Sequence, residues 1–420
     1  MHVRTRARRD RMFGASTSLL YPEERVQWGS ASNADVRKRN LTIALQHVML
    51  HDGESTRAEI VRVTSLTSAT VSSLLAQLIA DGYVEDAGQA ESTGGKRPTT
   101  LRINRHRHGI LSIVARPRRL RGAVLDLTGT IVEVIERRLD HALQPSDVDA
   151  FTTELIGSTS LHPIAIALQV PGTTNRTEVL ESVQLKWENV GLDSLLGSHA
   201  GIPAFLVNDA DAGSIAEGVQ GGDPSENSVF VHLGEGVGIA VMLAGRLLHG
   251  PAASAGEIGH VRVQFGEEQI RCRCGRYGCL EAVSSLAAML GSSFSDDLEP
   301  DEIRSIVESA ETRGIIELGA LTLARTLQMV CATLNVRSIV IGGAGVYLGD
   351  AFIDVLNDEL EHEPGRGATP PTARYAVNSD IFLGGAQYAL AETLGVRWRR
   401  IESGDVEVPE PDEASEALAG

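Results

Sequence analysis

The sequence predicts an α/β body preceded by a small winged helix-turn-helix head. Three observations carry that reading. From Gly109 onward, apolar runs of strand length alternate with stretches of helical periodicity, the pattern of sheets covered by helices. Residues 34–103 instead read helix, helix, turn, helix, then two extended pieces around a glycine-rich tip. Charge divides at the same place. Residues 1–110 hold 16 Lys/Arg against 11 Asp/Glu, whereas the remainder holds 22 against 44. A basic front on an acidic body suits one unit built for phosphates and another built for something else.

Residues 1–33 mix Arg, Ser and Gly without a lasting period and are expected to form a disordered basic arm. Residues 34–53 read as a helix with Val36, Leu41, Ala44, Leu45 and Val48 on one face and Gly53 as its stop. Thr56 and Glu59 form a capping box for a second helix. After a turn at Thr64–Leu66, Thr67 caps a third, with Val71, Leu74, Leu75 and Leu78 inward and Asp81-Gly82 at its end. Tyr83-Val84 and Thr99–Ile103 are the arms of the wing, and residues 88–98 are its tip. In such a unit the third helix enters the major groove N-terminus first. Here that end presents Ser68, Ala69, Thr70, Ser72 and Ser73. Lys96 and Arg97, between Gly95 and Pro98, suit a narrow, negative minor groove. Arg57, Arg62, Arg37, Lys38 and Arg39 are candidate phosphate contacts. The plainer alternative is a trihelical protein-interaction module with an incidental basic loop.

In the body, Leu111–Val114, Gly122–Leu127, Ala165–Val170, Ala204–Val207, Ser228–Leu233 and Ile339–Ile341 read as strands, and Ile315–Leu334 as a helix. Residues 402–420 contain no Lys or Arg and many acids, so residues 399–420 are expected to be a disordered tail. No apolar run approaches the roughly 20 residues of a bilayer span. No apolar signal-peptide core follows the arginine-rich start. The expected compartment is the cytoplasm, without a membrane partner.

Three of the four cysteines fall within eight residues, Cys272, Cys274 and Cys279, and His260 precedes them. Three thiolates and an imidazole complete a closed tetrahedral shell, the structural kind of zinc site. The plainer alternative is a group of buried thiols beside an unrelated histidine. Cys331, in the apolar helix, reads as a core residue.

These residues resemble the repressor, open-reading-frame and kinase (ROK) family. The resemblance rests on Glu257-Ile258-Gly259-His260, the CxCGxxGCxE run at 272–281, Asn208-Asp209, Gly234-Glu235-Gly236-Val237-Gly238 and the wing sequence Gly94–Pro98. It covers nearly all of residues 34–395. It implies an actin-like ATPase (ribonuclease H-like) fold over residues 108–398, with two lobes about a sugar cleft and a winged-helix head over 34–107. It also implies a sugar-binding set of Asn208, Asp209, Glu257, His260 and Glu281. Asp209 falls at the position of the base that deprotonates the attacking hydroxyl in the kinases. The loop Ser182–Trp187 matches the sugar-contacting loop, with Gln184 where the family commonly has Asn. Carboxylates accept hydroxyl protons, and an amide both donates and accepts. Ordinary surface polarity or support of the zinc shell is the alternative role for these residues.

The kinase motifs depart from the family pattern. A kinase hairpin reading approximately Asp-x-Gly-Gly-Thr matches Val114–Arg118 here, so Val114 replaces the acid and Arg116-Pro117 replace the glycines. Proline has no N–H to offer a phosphate. Glu235 replaces Thr in the second hairpin, while Gly342–Gly345 survives. No catalytic residue is therefore expected. The expectation is a dimeric or tetrameric repressor that binds operator DNA and responds to a sugar or sugar phosphate. An ATP-dependent hexose kinase with a DNA-binding appendage is one alternative. A regulator with a vestigial cleft that answers to a protein partner is another.

Overall fold

The computed structural model of the chain describes residues 32–89, 98–220, 227–295, 298–362, 369–377 and 382–398. The basic arm, Lys96 and Arg97 at the wing tip, and the acidic tail lie outside the described residues.

The head begins at α1 (Asn33–Leu50), whose N-cap Ser32 and Asp35 form a capping box. The helix stops three residues before Gly53. The reason is recruitment of the following turn to the wing: Gly53 N donates to Leu101 O (3.1 Å) and Asp52 Oδ1 accepts from Ile103 N (2.7 Å). Val36, expected on the apolar face, is 47% exposed, and the inward residues are Leu41, Ala44, Leu45, Val48 and Met49. α2 (Arg57–Thr64) carries the Thr56/Glu59 capping box, and α3 (Ser68–Ala80) is capped by Thr67. The strands β1 (Ser55–Thr56), β2 (Val84–Gln89) and β3 (Thr99–Ile103) form an antiparallel sheet in the order β1-β3-β2.

The body contains two five-stranded sheets of one topology. In the first, β4 (His108–Arg116), β5 (Arg119–Asp126) and β6 (Ile131–Arg138) form a meander, extended in parallel from β4 by β7 (His162–Val170). β8 (Thr173–Thr174), β9 (Glu178–Ser182) and β10 (Trp187–Gly191) form a small sheet above it. β11 (Ala204–Asn208) then completes the first sheet as the parallel neighbour of β7. In the second, β12 (Ser228–Leu233), β13 (Val237–Leu243) and β14 (Arg246–Leu247) form the meander, and β15 (Ser338–Gly343) and β16 (Thr372–Tyr375) extend it in parallel from β12. This doubling yields the two lobes that the resemblance implies. It has no counterpart as a short-period repeat, because topology was duplicated while side chains were not.

Helices cover these sheets: α4 (Pro145–Gly157), α5 (Asp209–Val219), α6 (Arg313–Leu334), α7 (Gly349–Glu361) and α8 (Phe382–Leu394). α6 is long and apolar enough to cross a membrane by length and composition alone. Its Ile316, Ala320, Leu323, Ala324, Leu327 and Cys331 are buried in the core of the second lobe, as an amphipathic helix over a sheet requires.

α5 and α8 cross at close range between the sheets. A methyl group on Gly384 would fall far inside van der Waals contact with Ala212 O, so only glycine fits. Beyond α8 the chain returns to the head. Thr42 Oγ1 donates to Leu394 O (3.2 Å), and Gln46 bonds Arg397 in both directions, each at 2.7 Å. Trp398 Nε1 donates to Leu127 O (2.8 Å). On the other side His108 Nε2 donates to Asp81 O (2.9 Å), and its ring stacks on Tyr83. One apolar core runs unbroken from Leu41 of the head to Trp398.

Gly384→Ala is expected to destabilise the chain by about 3 kcal/mol or more through overpacking. Gly314→Ala, a helical position with nothing within 4 Å, should be neutral or slightly stabilising. Urea midpoints of the two variants check this; equal midpoints would remove the crossing from the list of constraints.

Candidate functional site

A cavity of about 440 Å³ opens between the lobes at the carboxyl ends of the parallel strands, the usual place for a ligand in open α/β sheets. Gln184, Asn208, Asp209, Glu257, His260 and Glu281 all line it. They come from four places. Gln184 lies in the turn between β9 and β10, and Asn208 and Asp209 stand at the junction of β11 and α5. Glu257 caps the short 3-10 helix Ile258–His260 and His260 ends it, and Glu281 follows the cysteine loop. Gly236 is where they converge. A Cβ on it would sit 2.6 Å from Glu281 Oε2 and 3.4 Å from Gln184 Nε2.

Asn208 spends both ends of its amide on the fold. Oδ1 accepts from Ala210 N (2.7 Å) and Asp211 N (3.4 Å) as the cap of α5, and Nδ2 donates to Gly172 O (2.8 Å). Its primary contribution is therefore to hold Asp209 at the mouth of the helix, where the helix dipole favours a carboxylate. Glu257 Oε1 accepts from Thr173 Oγ1 (3.2 Å). Burial pushes the Glu257 carboxyl above its ordinary range, and the nearby charges of Asp209 and Glu281 add to the shift.

Asp209 is not a free base. Arg116 Nη1 stands 3.7 Å and His232 Nε2 3.5 Å from its Oδ2. Neither contact is announced by a motif: Arg116 replaces a glycine, and His232 sits inside an apolar strand. The β4–β5 turn is Pro117-Arg118, with Arg116 paired to Arg119 across it. No glycine lies in that hairpin tip. Glu235 is engaged by a neighbouring arginine. Arg273, the residue between Cys272 and Cys274, bonds Glu235 Oε1 and Glu235 O and lies 3.7 Å from Glu281 Oε1. Arg273 thereby spans the cleft side of the cysteine loop and the second hairpin, a role invisible in the CxC pattern.

The ligand atoms of His260, Cys272, Cys274 and Cys279 lie within 4.8 Å of one another. Cys274 Sγ and Cys279 Sγ are 3.8 Å apart, and Cys272 Sγ is 3.9 Å from His260 Nδ1. Tetrahedral bonds of ~2.3 Å set a sulfur–sulfur edge of ~3.8 Å, so the cluster can hold such an ion. With Nδ1 turned to the thiols, the other nitrogen of His260 is left for the cleft it lines.

On the head, Ser68, Ala69, Ser72 and Ser73 are exposed at the N-terminal half of α3, as is Arg57 at the start of α2. Thr70 turns back on Thr67 (Oγ1 to Oγ1, 2.9 Å). Arg37 lies across α3 and donates to Gln77 Oε1 (2.7 Å), so it braces the helix.

His232 gives the site a pH signature. Burial holds its imidazole below the ordinary value, while Asp209 opposes and Arg116 reinforces the shift. The folded state then refuses a proton that the unfolded chain accepts below about pH 6.5, so this group makes stability rise with pH through that region. His232→Gln should flatten the rise in urea midpoint between pH 5.5 and 7.5. An unchanged slope would refute the assignment.

The sequence model of the ROK family matches residues 120–377. The xylose repressor of Bacillus subtilis is 27% identical over 343 residues, covering 79% of this chain and 88% of the repressor. In structure, a ROK family transcriptional regulator described as a homolog of the E. coli MLC protein superposes with a TM-score of 0.69 at 20% identity, covering 86% of this chain and 96% of that one. A ROK family glucokinase from Streptomyces griseus, in complex with glucose and AMPPNP, superposes with a TM-score of 0.57 at 19% identity, covering 67% of this chain and 99% of that one. The first comparison covers more of this chain than the second. With more than half of its length matched, the chain belongs to the ROK family.

Proposed function

We propose that this protein is a sugar-responsive transcriptional repressor of carbohydrate metabolism, acting in the cytoplasm as a homodimer or homotetramer on a palindromic operator. One observation carries the reading. The six polar residues of the sugar set share one cavity, yet Asp209, the residue a kinase would need as base, is occupied by Arg116 and His232. A carboxylate oxygen that already faces a guanidinium and an imidazole is less open to an incoming hydroxyl. The site is thereby suited to binding and not to phosphoryl transfer. The similarity to named repressors across head and body supports the same reading.

In this reading His260, Cys272, Cys274 and Cys279 hold a structural zinc ion. When bound, the ion fixes the loop that carries His260, Arg273 and Glu281 to the cleft. Gln184, Asn208, Asp209, Glu257, His260 and Glu281 surround the sugar. On the DNA side, Ser68, Ala69, Thr70, Ser72 and Ser73 face base edges, and Arg57, Lys96 and Arg97 meet phosphates or the minor groove.

The test is fluorescence anisotropy of the protein on DNA from upstream of its own gene, with a panel of sugars and sugar phosphates. Tight, salt-sensitive binding shifted by one of them is the expected result. Specific binding that no member shifts would sink the sugar-responsive reading. The retained Asp209 favours a second reading, a hexose kinase; ADP release abolished by Asp209→Asn would establish it in place of the first. Cys274→Ser should lower bound zinc, measured by mass spectrometry, from about one ion per chain to near zero.

A further inference from the structure

We propose that His108 fixes the angle of the DNA-reading helix α3 on the body, and so sets operator selectivity without touching DNA. This rests on the DNA-binding reading above and deepens it to one positioning residue.

The joint is built from both sides of the chain. Asp81 is the C-cap of α3, and the last carbonyls of a helix have no partner within it. His108 Nε2 lies 2.9 Å from Asp81 O. A carbonyl only accepts, so the proton of the bond is on Nε2. The ring is buried, stacks on Tyr83 at 4.6 Å and meets the His162 ring edge-on at 6.2 Å. His108 opens β4 and is paired in register with His162 of β7, so the imidazole is anchored in the first sheet of the body. Arg107 closes over the other side of the turn, where a Cβ on Gly82 would stand 2.8 Å from its Cγ.

A unit attached at one point can swivel, and a second attachment fixes its angle. Thr42 and Gln46 hold α1 to the body, and His108 holds the end of α3. From Asp81 to the base-facing Ser68 the helix is about 20 Å long. A tilt of about 10° at the joint therefore moves the reading end by about 3 Å, more than base-edge hydrogen bonds tolerate. Phosphate contacts survive such a shift more readily, because they carry no sequence information.

The chemistry of the ring gives this role a signature. Nδ1 is buried without a partner, so a second proton would bring a donor with no acceptor into the stack. Burial holds the imidazole below its ordinary value; the bond to Asp81 O and the charge of Asp81 oppose the shift, while His162 and Arg107 reinforce it. The Tyr83 hydroxyl, pushed up to about 12 by burial and by Asp81, stays neutral. The docked joint thus refuses a proton that a free imidazole accepts below about pH 6.5. Its contribution is complete above that pH and is lost as pH falls toward the lower, docked value.

The test is fluorescence anisotropy of the full chain on DNA from upstream of its own gene and on a scrambled duplex of equal length, at pH 7.5 and 5.5. Wild type is compared with His108→Leu, which fills the space but donates nothing, and His108→Gln, which keeps a donor and cannot take up a proton. At pH 7.5, His108→Leu is expected to bind the upstream DNA at least about tenfold more weakly and the scrambled duplex within about twofold of wild type. His108→Gln should restore most of the preference. Between pH 7.5 and 5.5 the preference should fall in wild type and hold in His108→Gln. A loss shared equally by both duplexes makes His108 a residue of stability alone and overturns the proposal, as does an unchanged preference in His108→Leu. Should the leucine variant fail to fold, parallel pH profiles of wild type and His108→Gln overturn it. A wild type that does not distinguish the two duplexes removes the DNA-binding reading and the positioning role together.

Discussion

The crossing of Asp209–Val219 over Phe382–Leu394 is the constraint on which the rest of the molecule depends. One of these helices packs on the second sheet and begins at Asp209, in the cleft; the other packs on the first sheet and ends against the head. Their backbones meet at Gly384, too close for a side chain. A close-packed contact of this kind does not stretch; it keeps its geometry or is lost. The two lobes are therefore held together at the crossing. Both ends of the functional argument, the ligand cleft and the DNA-binding head, attach to the same pair of helices.

Charge in the cleft follows a second constraint. Asp209, Glu235, Glu257 and Glu281 gather around one cavity, and so many carboxylates repel one another unless cations intervene. The chain supplies those cations from its own strands and loops, Arg116 at Asp209 and Arg273 at Glu235 and Glu281, while His232, whose burial disfavours its charged form, stands beside Asp209. Arg116 and Arg273 are thus parts of one electrostatic arrangement that holds the carboxylates of the cleft together.

How much of this was legible in the sequence varied with the physics. The three helices of the head were readable because their caps, Thr56/Glu59 and Thr67, are local signals, and their apolar faces repeat at helical spacing. The cluster of His260 and three cysteines was readable because its thiols are close in sequence and chemically uncommon. Strand β6 was not, since Ile131–Arg138 is a half-exposed edge rich in charge. The end of α1 was misplaced because hydrogen bonds from a sheet residues away decided it. In the cleft, motif residues came through, but Arg116, His232 and Arg273 did not. Each acquires meaning only from a partner brought in by the fold: Asp209 for the first two, Glu235 for the third. Ion pairs between distant segments leave no period and no spacing in a single sequence.

The route from cleft to operator is set by the same contacts. A ligand changes DNA affinity only if it binds the DNA-bound and DNA-free shapes unequally. In this chain the head cannot drift independently of the body. Gln46 is bonded on both sides to Arg397, Trp398 is pinned to Leu127, and His108 is held to Asp81 across the other side of the joint. The C-terminal end of α8 and the residues after it are thus bonded directly to α1. Phe382, in the cavity wall under Arg121, is the first residue of α8, and Leu394, its last, accepts the bond from Thr42 of α1. Phe382 in the cavity wall and the Leu394–Thr42 bond thus lie at the two ends of one helix, which connects the cleft to the head.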